Sequence, residues 1–182
     1  MIGLKRGLVE LHEHEKGWEE NAALTIKKLK NIFGATAADI QHVGSTSIVH
    51  IKAKPIIDIA IAVNSFDEVY PLIPALETEG FIHRPENDEP WQVYFSCGNE
   101  QQNTRTHHIH VVKADSKEWQ DYINFRDYLN ARQETAKEYE AVKLRLMNEH
   151  KHDRLTYTYG KSDYIQKALR DALTWRKSDT IP

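Results

Sequence analysis

The sequence predicts an α+β fold: a mixed β-sheet in the first two-thirds of the chain, helices packed against it, and a helical final third. Three observations carry this expectation. Pro55–Val63 is apolar at every position but one, the pattern of a central strand covered on both faces. Ahead of it, Trp18, Ala22, Thr25, Ile26, Leu29 and Phe33 recur at helical spacing. From Trp119 onward, apolar residues again fall three and four apart.

Taken in order, Val9 and Leu11 alternate with Glu10 and His12, which predicts a short strand. The helix from Trp18 closes at Gly34, a residue suited to the C′ position. Ile40–Val43 reads as a strand ending at Gly44, and Pro55–Val63 as the next. Ser65-Phe66-Asp67-Glu68 is a capping-box pattern ahead of a helical face made by Val69, Leu72, Ile73 and Leu76, which Gly80 ends. Pro71 and Pro74 remove helix hydrogen bonds, so this helix is expected to start late or bend. Phe81–Arg84, Trp91–Cys97 and Thr106–Val112 read as strands, with the polar stretch Gly98–Asn103 as a hairpin loop. Trp119, Tyr122, Ile123, Arg126 and Leu129 share a helical face, capped by Asp115 or Ser116. Ala136, Tyr139, Val142 and Leu146 continue the pattern. Tyr164, Ile165, Ala168, Leu169, Ala172 and Leu173 form the last apolar stripe, with Ser162 as N-cap.

A chain of 182 residues predicts one domain spanning 1–182. A net charge of -3 argues against a nucleic-acid partner and against an anionic membrane surface. The single cysteine, Cys97, permits no intrachain disulfide and no cysteine-based zinc site. No stretch approaches the roughly 20 apolar residues of a membrane span, so a cytoplasmic protein is expected.

The candidate chemistry lies between residues 43 and 63 and on a later strand. Gly44-Ser45-Thr46-Ser47 directly follows an apolar run. It reads either as a phosphate cradle or as a capped strand-to-helix turn. Lys54, held extended by Pro55, either offsets phosphate charge or is solvated. Asp58 is the lone charge in its apolar run. Burial of such a charge costs several kcal/mol unless it is compensated, so it is a metal or catalytic carboxylate or half of a structural ion pair. His107, His108 and His110 cluster on the third strand, and alternation places His108 and His110 on one face. With Asp58 they would make a two-histidine, one-carboxylate set, which suits Zn, Mn or Fe better than Mg; the alternative is histidines hydrogen-bonded on a half-exposed strand. His12 and His14, alternating with Glu13 and Glu15, read as a solvated face. Arg84 and Arg105 either reach an anion or lie on the surface. Lys143 reads as a helix ion-pair partner.

These motifs resemble the GrpB family, small bacterial proteins assigned to the nucleotidyltransferase superfamily of polymerase-beta type. The resemblance runs from Val9-Glu-Leu and Trp18 through Gly44-Ser-Thr-Ser, Ala53-Lys-Pro-Ile-Ile-Asp-Ile and Thr106-His-His-Ile-His-Val-Val. It continues to Trp119, Phe125-Arg-Asp-Tyr-Leu and Tyr139-Glu-Ala-Val-Lys. It implies a nucleotidyltransferase-like mixed sheet flanked by helices. The superfamily's site has a Gly-Ser turn, an Asp-x-Asp or Asp-x-Glu strand and a third acid, together holding two divalent metals against a nucleotide's phosphates. Gly44, Ser45 and Asp58 match. Ala60 stands in the second acid's place, His108 and His110 stand on the third strand, and Val49-His50 replaces the family's usual Pro-Gly.

The resemblance therefore implies binding of a nucleotide or other phosphorylated small molecule at Gly44, Ser45, Thr46, Ser47 and Lys54. It also implies a divalent metal (Mg, Mn or Zn) on Asp58, His108 and His110, with Asp58 catalytic in nucleotidyl transfer. The missing second carboxylate opens two alternatives. One is a non-catalytic nucleotide- or coenzyme-binding module; family members fused to dephospho-CoA kinase imply coenzyme A precursors or adenine nucleotides. The other is a metal-dependent hydrolase using the histidines.

Overall fold

The computed structural model describes residues 1–151 and 153–179. A five-stranded sheet runs in the order β2 (Ala37–Val43), β3 (Ile57–Val63), β7 (His107–Lys113), β5 (Gln92–Cys97) and β4 (Ile82–His83). Only β3 and β7 are parallel; the other neighbours are antiparallel. A separate two-stranded ribbon pairs β1 (Leu4–Lys5) with β6 (Thr104–Arg105).

The apolar strand β3 is central because both of its faces are covered. Ile57, Ile59, Ile61 and Val63 point to one side with Ile109, Val111, Val93 and Phe95. There they meet Trp18, Ala22, Leu29 and Phe33 of helix α1 (Lys16–Phe33). On the other side Ala60, Ala62 and Val112 lie beneath Trp119 of helix α3 (Lys117–Ala131). Small residues on that face let α3 approach closely. Ile59 is fully buried, so Ile59→Ala is expected to destabilise the fold by about 2–5 kcal/mol. The check is a lower denaturation midpoint at unchanged m value.

Ser116 caps α3 as expected, its Oγ accepting from the Trp119 N–H at 3.2 Å. The two prolines break the second helical segment: 3₁₀ turns at Phe66–Glu68 and Tyr70–Leu72 precede α2 (Ile73–Thr78), with Pro74 confined to its first turn. Helices α4 (Gln133–Glu149), α5 (Arg154–Tyr159) and α6 (Ser162–Asp179) complete the helical third. Among the described residues no helix is long and apolar enough to cross a membrane.

Several expectations are corrected. Val9–Leu11 forms no strand; His12 makes an isolated bridge to Ala53, and Val9 packs with Leu146 and Tyr157. Its alternation reflects one-sided packing of an extended segment on helices. Ser162 is the first residue of α6 and not its cap. His14 is not on a solvated face. It meets Trp18 edge-on, with ring centroids 5.4 Å apart, and its Nδ1 is buried without a partner.

Candidate functional site

Strand register builds the floor of a site on the α3 side of the sheet. Asp58 is opposite His108 on β7 and Val43 on β2, while His110 is opposite Ala60 and Tyr94. A cavity of about 660 Å³ opens above this floor. Tyr122 and Phe125 of α3 and Tyr139 and Lys143 of α4 wall it. Arg154 and Tyr157 of α5 and Lys161, just before α6, close the remaining side.

The turn after β2 enters the cavity through Gly44, whose φ of 70° and ψ of −170° belong to glycine almost alone. A Cβ there would lie 2.8 Å from the Asp58 Cβ. Glycine is thus required twice, by its backbone conformation and by the carboxylate against it. Ser45 faces the cavity and its Oγ donates to the Tyr139 hydroxyl at 3.5 Å. Thr46 and Ser47 do not line the cavity. Thr46 is buried, with Oγ1 3.0 Å from His42 Nε2, and it donates to the Ile56 carbonyl at 3.4 Å. Ser47 Oγ donates to the Gly44 carbonyl at 2.7 Å. Of the residues expected to hold phosphate, Gly44, Ser45 and Lys54 line the cavity, while the Thr46 and Ser47 hydroxyls brace the turn.

Asp58 Oδ1 accepts from His108 Nδ1 at 3.1 Å and lies 3.8 Å from His110 Nε2. Burial alone would raise the Asp58 pKa. The His108 hydrogen bond and the adjacent His110 ring override it and hold the carboxyl below the usual carboxylate range. His108 is shifted down, since burial disfavours the imidazolium more than Asp58 favours it. The pair is thus a carboxylate beside a neutral imidazole. The expected metal set does not fit these side chains as they stand. The His108 and His110 rings are 6.5 Å apart and nearly perpendicular. Among the described residues no three His, Cys, Asp or Glu side chains are arranged to hold a metal ion. His107 faces the opposite side, with Nε2 2.8 Å from Asn21 Oδ1 and 3.1 Å from Thr25 Oγ1 on α1.

Lys117 in the cavity lining pairs with Asp121, and four further cations converge on the cavity: Lys54, Lys143, Arg154 and Lys161. Among the described residues none of them makes an ion pair with a carboxylate. Lys54 and Lys161 both lie over the Tyr157 ring, 5.3 and 4.8 Å from its centroid. Lys143 donates to the Lys52 carbonyl and lies 4.7 Å from the Tyr139 centroid. Burial, reinforced by Lys161 and Arg154 and only partly offset by Asp58, pulls the Lys54 pKa down to about 7. Lys143 falls to about 7 by burial and the nearby Lys161. Lys161 is lowered by burial as well.

Sequence reasoning placed Lys143 in a helix ion pair; it is instead buried inside the stripe formed by Ala136, Tyr139 and Leu146. A lysine on that stripe was the available signal. Arg154, Tyr157 and Lys161 carried none. Arg84 and Arg105, considered as anion ligands, are both held by Glu100.

The sequence pattern of the family described as "GrpB protein" matches residues 8–171. The chain is 34% identical over 173 residues to the glutamate-rich protein GrpB of Alkalihalophilus pseudofirmus, covering 94% of this chain and 99% of that one. It is 34% identical to the UPF0157 protein YqkA of Bacillus subtilis, covering 93% of this chain but only 48% of YqkA, so it spans about half of that relative's length. Among solved structures, conserved protein GrpB from Enterococcus faecalis superposes with a TM-score of 0.84 at 28% identity, covering 92% of this chain and 99% of that one. The Cid1 poly(U) polymerase with MgGTP bound gives 0.51 at 14% identity over 76% of this chain and 43% of its own, a likeness of fold alone. A nucleotidyltransferase-like sheet, a family pattern covering most of the sequence and full-length relatives agree: the chain belongs to the GrpB family.

Proposed function

We infer that the cavity binds a phosphorylated small molecule, with nucleoside triphosphates as the leading class. The observation that supports this reading is the set of four cations that, among the described residues, have no carboxylate partner around one concave space. Cations that are buried or half-buried without a counter-charge destabilise a fold, so their convergence points to a ligand that supplies the missing charge. Asp58, Glu118 and Asp121 share the lining with five cations, which leaves an excess of positive charge for the phosphate groups of a ligand to meet. Tyr94, Tyr122, Phe125 and Tyr157 offer aromatic surface for the rest of the ligand. The fold likeness to a polymerase that binds MgGTP is why nucleoside triphosphates head the panel.

Ala60 supports a second reading, that of a binding module without two-metal chemistry. It is fully buried and packs with Trp119, so the strand carries no second carboxylate two residues after Asp58.

The test is thermal unfolding of the full chain with ATP and with inorganic triphosphate, in EDTA, at pH 6 and pH 9. Ligand at about 100 times its Kd adds roughly 2.7 kcal/mol. For a chain of this size that raises Tm by about 5–10 °C. The shift is expected to be larger at pH 6. Lys54 faces Lys161, Arg154, Asp58 and Tyr157; Lys143 faces Lys161, Lys54, Lys137, Glu140 and Tyr139. Both lysines lose charge as pH rises through about 7 in the free protein, so the anion site weakens toward pH 9. No shift with any nucleotide, coenzyme or oligophosphate at pH 6 would sink the reading.

A further inference from the structure

The hydrogen bonds around Asp58 assign both of its histidines the Nδ1–H form but give that proton two different acceptors. Gln92 is buried and its amide is held at both ends. Its Nε2 donates to the Asn87 carbonyl at 3.2 Å, which turns Oε1 toward His110 Nδ1 at 3.1 Å. An amide oxygen can only accept, so neutral His110 carries its proton on Nδ1. Its Nε2, 3.8 Å from Asp58 Oδ1, is then no donor to that carboxylate. The proton that Asp58 accepts comes from His108 Nδ1 at 3.1 Å. Neutral His108 consequently has a bare Nε2, on a ring that lines the cavity.

Building on the phosphate-site reading, we propose that Asp58 and His108 form a proton-accepting dyad, in which His108 Nε2 takes the proton of a water or alcohol hydroxyl that attacks the bound phosphorylated ligand. As the hydroxyl oxygen forms the new P–O bond, its proton passes to Nε2. The P–O bond to the leaving phosphate breaks, and its electron pair leaves with that oxygen toward Lys54, Arg154 and Lys161. The imidazolium, held by Asp58, then returns the proton to the leaving group or to water. Asp58 orients the ring and fixes its tautomer, as the carboxylate of a catalytic triad does. The step needs no metal ion between Asp58 and the histidines. Gln92 is a positioning residue, because it turns His110 away from competing for the same carboxylate.

Two-bond ¹⁵N–¹H NMR correlations on the full chain labelled with ¹⁵N-histidine, in EDTA, test the assignment. The His108 signals, identified by their loss in His108→Gln, should show Nδ1 protonated and Nε2 bare. In Asp58→Ala they should move toward the Nε2–H form that free imidazole prefers. An Nε2–H tautomer in the unaltered protein, or ligation of added ZnCl₂ through His108 Nδ1, overturns the dyad. ³¹P NMR of ATP with glycerol in EDTA tests the transfer. His108→Gln should slow turnover by about 100-fold while the triphosphate-induced rise in Tm stays. Absent turnover, or an equal rate in His108→Gln, overturns the chemistry. Loss of the Tm rise in the unaltered protein would instead sink the phosphate reading and leave the tautomer result standing.

Discussion

Lys54→Met is expected to make the protein more stable and unable to respond to triphosphate. Lys54 is half-buried, faces Lys161 and Arg154, and among the described residues pairs with no carboxylate. Its pKa falls from 10.5 unfolded to about 7 folded. The folded state therefore binds fewer protons than the unfolded state between those values, and stability rises with pH across that window. Below about pH 7 the lysine is charged in both states and its full penalty is present. Methionine removes the charge at similar length, so the gain at pH 6 is on the order of 2 kcal/mol and fades toward pH 10. The same substitution takes one of four charges from the cavity and should abolish most of the triphosphate-induced rise in Tm. Urea unfolding at pH 6, 8 and 10, with and without triphosphate, measures both effects. A variant that is less stable at pH 6, or that still responds fully, contradicts the assignment. Opposite signs on stability and binding are the mark of a residue kept for its ligand.

Gly44→Ala carries a large expected loss at the site itself. The backbone at φ 70° and ψ −170° strains any residue with a Cβ, at about 1–3 kcal/mol. The new carbon would also meet Asp58, whose own Cβ is only 2.8 Å away. Because that neighbour is close to the β3 backbone, no flexible side-chain end can swing aside. The sum is about 3 kcal/mol or more, enough to remove much of the stability of a typical domain. Asp58→Gly in the same chain should recover the collision but not the backbone strain. Denaturant unfolding of the single and double variants separates the two contributions, and an unstrained Gly44→Ala would show that the turn is not held as described.

Much of the frame was legible because its residues repeat with a period. The stripe from Trp18 to Phe33 became α1, and the apolar run ending at Val63 became a strand covered on both faces. Alternation alone placed His108 and His110 together, and register then set Asp58 beside them. The cationic side of the cavity was not legible. Helix α5 has six residues, R-L-T-Y-T-Y, too few to show a helical period, and it supplies Arg154 and Tyr157. Lys161 sits between helices, where a lysine is ordinarily solvated. The roles of Thr46 and Ser47 also depended on geometry: both hydroxyls belong to a turn whose partners, His42, Ile56 and the Gly44 carbonyl, lie outside the motif's own side chains. Val9–Leu11 misled because an extended segment packed on helices alternates just as a strand does.

The split of the cavity between a sheet floor and a late helical wall also sets the order of its assembly during synthesis. Asp58 and His108 leave the ribosome before Lys143, Arg154 and Lys161 do. A nascent chain can therefore pair its strands while the acidic floor is still bare and, of the four opposing cations, only Lys54 has been made. On the proposed phosphate-site reading, ligand capture would wait until α4 and α5 have docked, so an early-terminated product would keep the floor and lack the grip.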